Sequence, residues 1–500
     1  MSPAKSLAVV LGLLLAATPA HADTPPPIYV VLWFDTEDYL LPLDDDATLR
    51  LAEFLSRQKI HATFKLVGEK ARELERRGRW DVIAALKKHE IGYHANWHSV
   101  QPSPAMYLSD LGWHDGVAEF DRREGWGRDD VQRLFGVAPS CYGQPGSSWG
   151  PQVYGAMRKW GMNVYLDTGN HVRLDDKPFY FCGVLNLYRL EHTLRTKLEG
   201  SNEIQEAEAR FVAARKKLHA DGGGIVSIYY HPCEFVHREF WDGVNFRNGA
   251  NPPREQWRVP PAKTPEQSQT AYEIFESYIR FLQRFPEVRF ITASEAAVVY
   301  RDKARGRRYA TAELKAIAEA VQEAVSFQRR EDTALSASEV FALLNAYVAQ
   351  RGTGHEPAFI TWQGTPYGPT TPVAAQSGPV TTDWSQFTRT AADVFDFLQR
   401  QGHLPPSVWL GSVAVSPEAY LNALARVAIG LIEGKPPPET VEIKPARLAI
   451  ATNVADDGPN LWGWVIFPRG FRAPKMMELA KRQAWTLKPA LMDKSPRLDK

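Results

Sequence analysis

Ile28-Tyr29-Val30-Val31-Leu32-Trp33-Phe34 is seven apolar residues in a row, and it runs directly into Asp35-Thr36-Glu37-Asp38. A short apolar run rich in β-branched and aromatic residues reads as a strand buried on both faces, the kind found in parallel sheets. The acidic cluster then stands at the carboxyl end of that strand. Outward from it the pattern repeats. Strands are expected at 62–67, 91–94, 140–143, 163–167, 224–231 and 288–292, and helices at 47–57, 81–88, 152–160, 204–219 and 265–284. Alternating strand and helix implies an α/β fold, with parallel strands and right-handed crossovers. In such folds chemistry collects at the carboxyl ends of the strands. Asp35, His94, Asp167 and His231 all lie at such ends.

Those strand ends carry the residue types of a metal site. His94-Ala95-Asn96-Trp97-His98 places two histidines four apart, which share a face if the backbone is helical. A carboxylate from another strand end completes a three-ligand set for a divalent metal. The zinc-protease signature needs glutamate directly after the first histidine. Ala95 stands there, so that reading fails and a base must come from elsewhere. Asp35 and Glu37, two apart, point to the same side of an extended chain. One can ligate metal while the other holds a water.

Taken in order, five segments resemble the polysaccharide deacetylase family, also known as the NodB homology domain or carbohydrate esterase family 4. They are Trp33 to Asp38, His94 to His98, Gly143-Gln144-Pro145-Gly146, Tyr165-Leu166-Asp167, and Ile228-Tyr229-Tyr230-His231-Pro232. The similarity spans roughly residues 28 to 300. It implies a deformed (β/α) barrel holding a divalent metal, zinc by expectation. It also implies removal of N-acetyl groups from an acetylated glycan or cell-wall polymer. On this resemblance Asp35 is the general base, His231 the general acid, and His94 and His98 metal ligands. Many members have a second aspartate where Thr36 stands; Glu37 then becomes the third ligand, with Asp38 as the alternative. Gly143 replaces an arginine that orients the base in the family, and Gln144 brings a hydrogen-bonding group without its charge. Ala95 replaces a hydroxyl residue. Asp167, Gln144, Pro145 and Trp97 are expected to support the site or touch substrate. The departures keep two other readings open. One is a non-catalytic glycan- or cell-wall-binding protein on a degenerate barrel. The other is a hydrolase of small amides or esters.

At 500 residues the chain exceeds what one core usually supports. The family-like part is expected to span 28–305, followed by a smaller, mainly helical domain over 306–500. Helices are expected at 336–350, 390–401 and 417–432, and their shared phrasing hints at internal repetition. Gly402 to Trp409 and Val415 to Leu421 resemble pseudomurein-binding repeats, which bind cell-wall polymer. Lys5, the apolar run 7–17 and Ala20-His21-Ala22 read as an export signal cleaved after Ala22. The mature protein is therefore expected in the periplasm or outside the cell, without a transmembrane segment. With 59 basic and 58 acidic residues, overall charge gives no footprint for nucleic acid. Three cysteines exclude a disulfide scaffold; either Cys141 and Cys233 bridge or the thiols are free and buried. Trp97, Trp113, Trp126 and Trp149 are either sugar-stacking platforms or core.

Overall fold

The computed structural model describes residues 25–200, 202–373 and 376–498. The expected leader, 1–22, lies outside the described residues. The strands are β1 (Ile28–Thr36), β2 (Thr63–Val67), β3 (Glu90–Ala95), β4 (Cys141–Tyr142), β5 (Val164–Leu166), β6 (Phe179–Phe181), β7 (Val184–Leu187), β8 (Gly224–Tyr230) and β9 (Val288–Ile291). They form one sheet in the order β6-β7-β5-β4-β3-β2-β1-β8, with β9 beside the first half of β1. Every pairing is parallel except β6 with β7 and the short Lys488–Pro489 strand that adds to β6. A single parallel bridge, Thr193 to Ser227, joins the segment after β7 to β8 and draws the curled sheet into a deformed barrel.

All nine residues of β1 are buried, as its apolar run requires. Their alternation sorts two cores. Tyr29, Val31 and Trp33 belong to the barrel interior with Cys141, Val164, Leu166 and Ile225. Ile28, Val30, Leu32 and Phe34 face the surrounding helices. The same alternation in β2 sends Phe64 and Leu66 outward and leaves Lys65 inside.

Besides the short helices Pro104–Leu108, Trp241–Asn245 and Ala293–Val299, two longer ones in this half escape the periodicity: Gly68–Arg76 and the 23-residue Trp113–Phe135. The second carries three glycines, which ordinarily weaken a helix. At Gly127 the reason is close packing, because a Cβ there would lie 2.5 Å from Asn96 Oδ1. Trp113 and Trp149 are core, whereas Trp126 is about half exposed. Cys141, Cys182 and Cys233 are each buried and free, so Cys141 and Cys233 form no bridge.

A second core gathers helices Thr311–Glu319, Ala337–Gly352, Trp384–Gln401 and Pro417–Ile432. The repetition hinted at in the sequence is structural. Gln328–Arg330 pairs with Thr333–Leu335 before one helix, and Val408–Leu410 pairs with Val413–Val415 before another. Ser336 and Ser416 cap the two helices in the same way. This helical unit does not run to the end of the chain as expected. From Ile450 onward most apolar side chains return to the core between the barrel and its helices, among them Val454, Trp462, Phe467 and Met476, while Trp485 stays with the helical unit. The expected extent 306–500 is therefore cut short, because those side chains find their apolar partners among the helices around the barrel rather than in the helical unit. No helix among the described residues is long and apolar enough to cross a membrane.

One buried group on this returning contact titrates. His171 stacks on Trp149 at 5.0 Å, shares a hydrogen bond with Tyr188 Oη at 2.7 Å, and has no partner for Nε2. Burial pushes it down to about 3. Its neutral form therefore stabilises the fold fully above the unfolded value of about 6.5, and that contribution is lost as pH falls toward 3. Between pH 6 and 4 the protein should lose about 1.4 kcal/mol per pH unit more than His171→Phe. Urea unfolding at stepped pH reads this, and parallel pH curves for the two proteins would refute it.

Candidate active site

Alternation along the strands builds the site. The parity that turns Trp33 inward continues to Asp35 and then Glu37, at the mouth of the barrel. By the same rule Gly92 and His94 of β3, and Tyr229 of β8 followed by His231 just past its end, face inward, while Tyr93, Val226, Ile228 and Tyr230 pack on the helices. Asp38 falls on the opposite parity. It lies beside Cys233 and Asp44, with its carboxyl pushed well up by burial and then by Asp44 and Glu37. The alternative ligand is thus turned away from the site.

Glu37, His94 and His98 converge, with one ligand atom each lying within 4.8 Å of the others. Glu37 Oε2 is 3.2 Å from His94 Nε2 and 2.8 Å from His98 Nε2. His94 Nδ1 donates to the Gly143 carbonyl at 2.9 Å, which leaves the Nε2 lone pair facing Glu37. His98 Nδ1 bonds Ser99 Oγ at 2.7 Å, while its buried Nε2 has no aligned hydrogen-bond partner. Two imidazole lone pairs and a carboxylate oxygen on one buried point fit a divalent cation of the zinc class.

The two histidines do not sit on a helix. His94 ends a strand, and His98 follows a turn in the left-handed region, φ 57°. Asn96 pins that turn. Its amide N–H donates to Glu124 at 2.6 Å, its side-chain nitrogen to the Arg123 carbonyl at 2.9 Å, and Arg72 donates to its Oδ1 at 3.0 Å. The helices missed in the sequence therefore supply support that Ala95 cannot.

A second cluster, Asp35, His94 and Asp167, also has ligand chemistry. It already contains a cation. Lys65 Nζ lies 2.8 Å from Asp35 Oδ1 and 2.9 Å from Asp167 Oδ2. Burial pushes the Asp35 carboxyl up, but His94, Lys65 and His231 outweigh it and hold it below the usual range. Burial likewise raises Asp167, to about 7 despite Lys65. His231 Nε2 is 3.6 Å from Asp35 Oδ2, and its Nδ1 bonds Glu234 at 2.6 Å. Burial would lower His231, yet Glu37, Glu234 and Asp35 together raise it to about 10. Glu234, itself paired with Arg195, is held down at about 2: burial would raise it, but the bond and charge of His231 win.

Gln144 does not stand in for a base-orienting group. Its amide nitrogen donates to Gly146, Thr168 and Tyr188, and its oxygen accepts from Tyr165. Pro145 starts the turn closed by Ser148. Trp97 is half-buried at the rim, with Arg72 over its ring at 4.7 Å. Four site residues went unread in the sequence: Lys65, Glu234, Phe240 and Trp464. Phe240 packs edge-on to His231 at 4.9 Å. Trp464 comes from the returning C-terminal segment. Its ring lies 5.1 Å from His98 and fills the space above Gly146, its indole N–H donates to Asp242, and its amide donates to Ser147.

No protein-family model matches the chain, and no curated protein matches it. Solved structures of similar fold include a protein assigned as a polysaccharide deacetylase from Mycobacterium smegmatis, 14% identical, covering 56% of this chain and 92% of its own, with a TM-score of 0.37. The PuuE allantoinase is 15% identical, covers 55% and 91%, and has a TM-score of 0.36. A carbohydrate esterase family 4 pseudoenzyme from Bacillus anthracis is 15% identical, covers 54% and 65%, and has a TM-score of 0.30.

Proposed function

We propose that this chain is an exported, metal-dependent hydrolase that removes N-acetyl groups from a glycan or cell-wall polymer. One observation carries the reading: three buried ligand atoms of Glu37, His94 and His98 share a point beside a carboxylate and an imidazole that are not among them. A divalent ion bound there would polarise an acetamide carbonyl and lower the pKa of water. Asp35, held ionised, accepts the proton of the attacking water through Oδ2, the oxygen turned toward His231. Water oxygen bonds to the carbonyl carbon, and the carbon–nitrogen bond breaks. His231, held protonated by Glu37 and Glu234, gives its Nε2 proton to the leaving amine, so acetate and a free amine result.

A second reading, hydrolysis of small amides or esters, is favoured by Trp464. It walls the His98 side of a mouth whose acidic and histidine side chains are at most 16% exposed. Metal analysis of the purified protein, followed by acetate release from acetylated oligosaccharides, polymers and small acetamides, tests both. About one zinc per chain with release from glycans supports the proposal. Release from small substrates alone supports the second reading, and metal-free protein that binds glycan without turnover overturns both. Asp35→Asn should keep its metal and lose about 10²- to 10⁴-fold in rate.

A further inference from the structure

We infer that Lys65 is a positioning residue for Asp35, delivered through space that only a glycine at 143 leaves open. The inference rests on Asp35 acting as base. Lys65 is fully buried in the middle of β2. An ammonium in such a place is costly unless its surroundings answer every donor. Here Nζ donates to the Leu166 carbonyl at 2.7 Å and to Asp167 Oδ2 at 2.9 Å. Its third neighbour is Asp35 Oδ1 at 2.8 Å, a close ion pair in which the oxygen makes no aligned hydrogen bond. The Trp33 ring lies beneath at 4.2 Å. Asp35 and Lys65 are register partners on adjacent parallel strands, so their side chains leave the sheet on the same side.

Gly143 completes the arrangement. A Cβ at that position would lie 2.0 Å from Lys65 Nζ and 2.5 Å from both Asp167 Oδ2 and the Leu166 carbonyl oxygen. Any side chain at 143 must therefore expel the ammonium. Lysine at 65 and glycine at 143 form a matched pair. The lysine fixes one oxygen of Asp35 and leaves the other, Oδ2, facing His231 and the mouth. Asp167 acts one step back, anchoring the lysine.

Lys65→Met keeps length and removes charge. Lys65→Met and Gly143→Ala should each lower kcat about 100-fold on the substrate that wild type turns over, with KM and metal content within twofold of wild type. The Lys65–Asp35 coupling is also read without turnover: Lys65→Met combined with Asp35→Asn should recover much of the unfolding midpoint that Lys65→Met loses, because the buried carboxylate left unpaired is gone as well. Wild-type kcat in Lys65→Met, or midpoint changes that simply add, overturns the inference. An inactive wild type with non-additive midpoints overturns the hydrolase reading alone.

Discussion

His98→Ala should purify with less than about a tenth of the wild-type metal and release acetate at least on the order of 10³-fold more slowly, since loss of a Lewis acid removes several kcal/mol of transition-state stabilisation. The site argues for so large an effect. His98 is buried, its Nε2 lies 2.8 Å from Glu37 Oε2, and nothing else satisfies that nitrogen. With the imidazole gone, Glu37 and His94 remain as a two-ligand fragment, and zinc sites need three protein ligands to hold the ion. The backbone contributes separately. His98 sits at φ 57°, where alanine costs roughly 1 kcal/mol. Asparagine tolerates that region better, so His98→Asn serves as the control. If both variants lose metal while only alanine loses stability, the metal loss belongs to the imidazole. Plasma emission on the dialysed proteins, beside thermal unfolding, separates the two. Wild-type metal content in either variant would remove His98 from the ligand set.

The strand ends were legible because apolar runs mark them, and a polar residue just past such a run has one place to go. Asp35, His94 and His231 were found that way. Parity could also have chosen Glu37 over Asp38, since Trp33, Asp35 and Glu37 share a face. Lys65 was missed for a physical reason. A lone lysine in a five-residue strand ordinarily marks an edge or a solvent face, and only the register against Asp35 and the empty position at 143 reveal its role. The shared face of His94 and His98 was conditional on a helix, and the strand read at 91–94 is what the chain forms. Four residues also bridge a strand end and a left-handed turn, and the chain takes that course because Asn96 is held by two helices hidden behind glycine-rich and charged sequence. Trp464 could not be read at all. It reaches the site from over 300 residues beyond His98, through a segment whose own pattern says only that it is apolar.

That returning segment has its own anchor, and breaking it should have the largest effect on stability. Lys488 Nζ is buried 2.8 Å from Asp302 and 2.9 Å from both oxygens of Glu339. Glu339 belongs to the helical unit, where it also accepts from the Ser336 amide at 2.8 Å and from Thr365 Oγ1 at 2.6 Å. Lys488 belongs to the short strand that adds to β6. One ammonium thus ties the end of the chain, the barrel sheet and the helical unit together. Removing one partner of a buried pair typically costs about 3–5 kcal/mol, because the other charge stays behind. Lys488→Met should therefore lower the unfolding midpoint by about 3–5 °C, since a chain of this length loses roughly 1 °C per kcal/mol. Lys488→Met combined with Glu339→Gln should recover much of that loss, since the more deeply buried of the two orphaned carboxylates is gone as well and only Asp302, nearer to solvent, remains. Because the same segment carries Trp464 to His98, the single variant should also become sensitive to limited proteolysis between residues 449 and 489 while its metal stays bound. Scanning calorimetry on the four proteins of the cycle decides, and additive midpoints would mean that Lys488 contributes packing rather than charge.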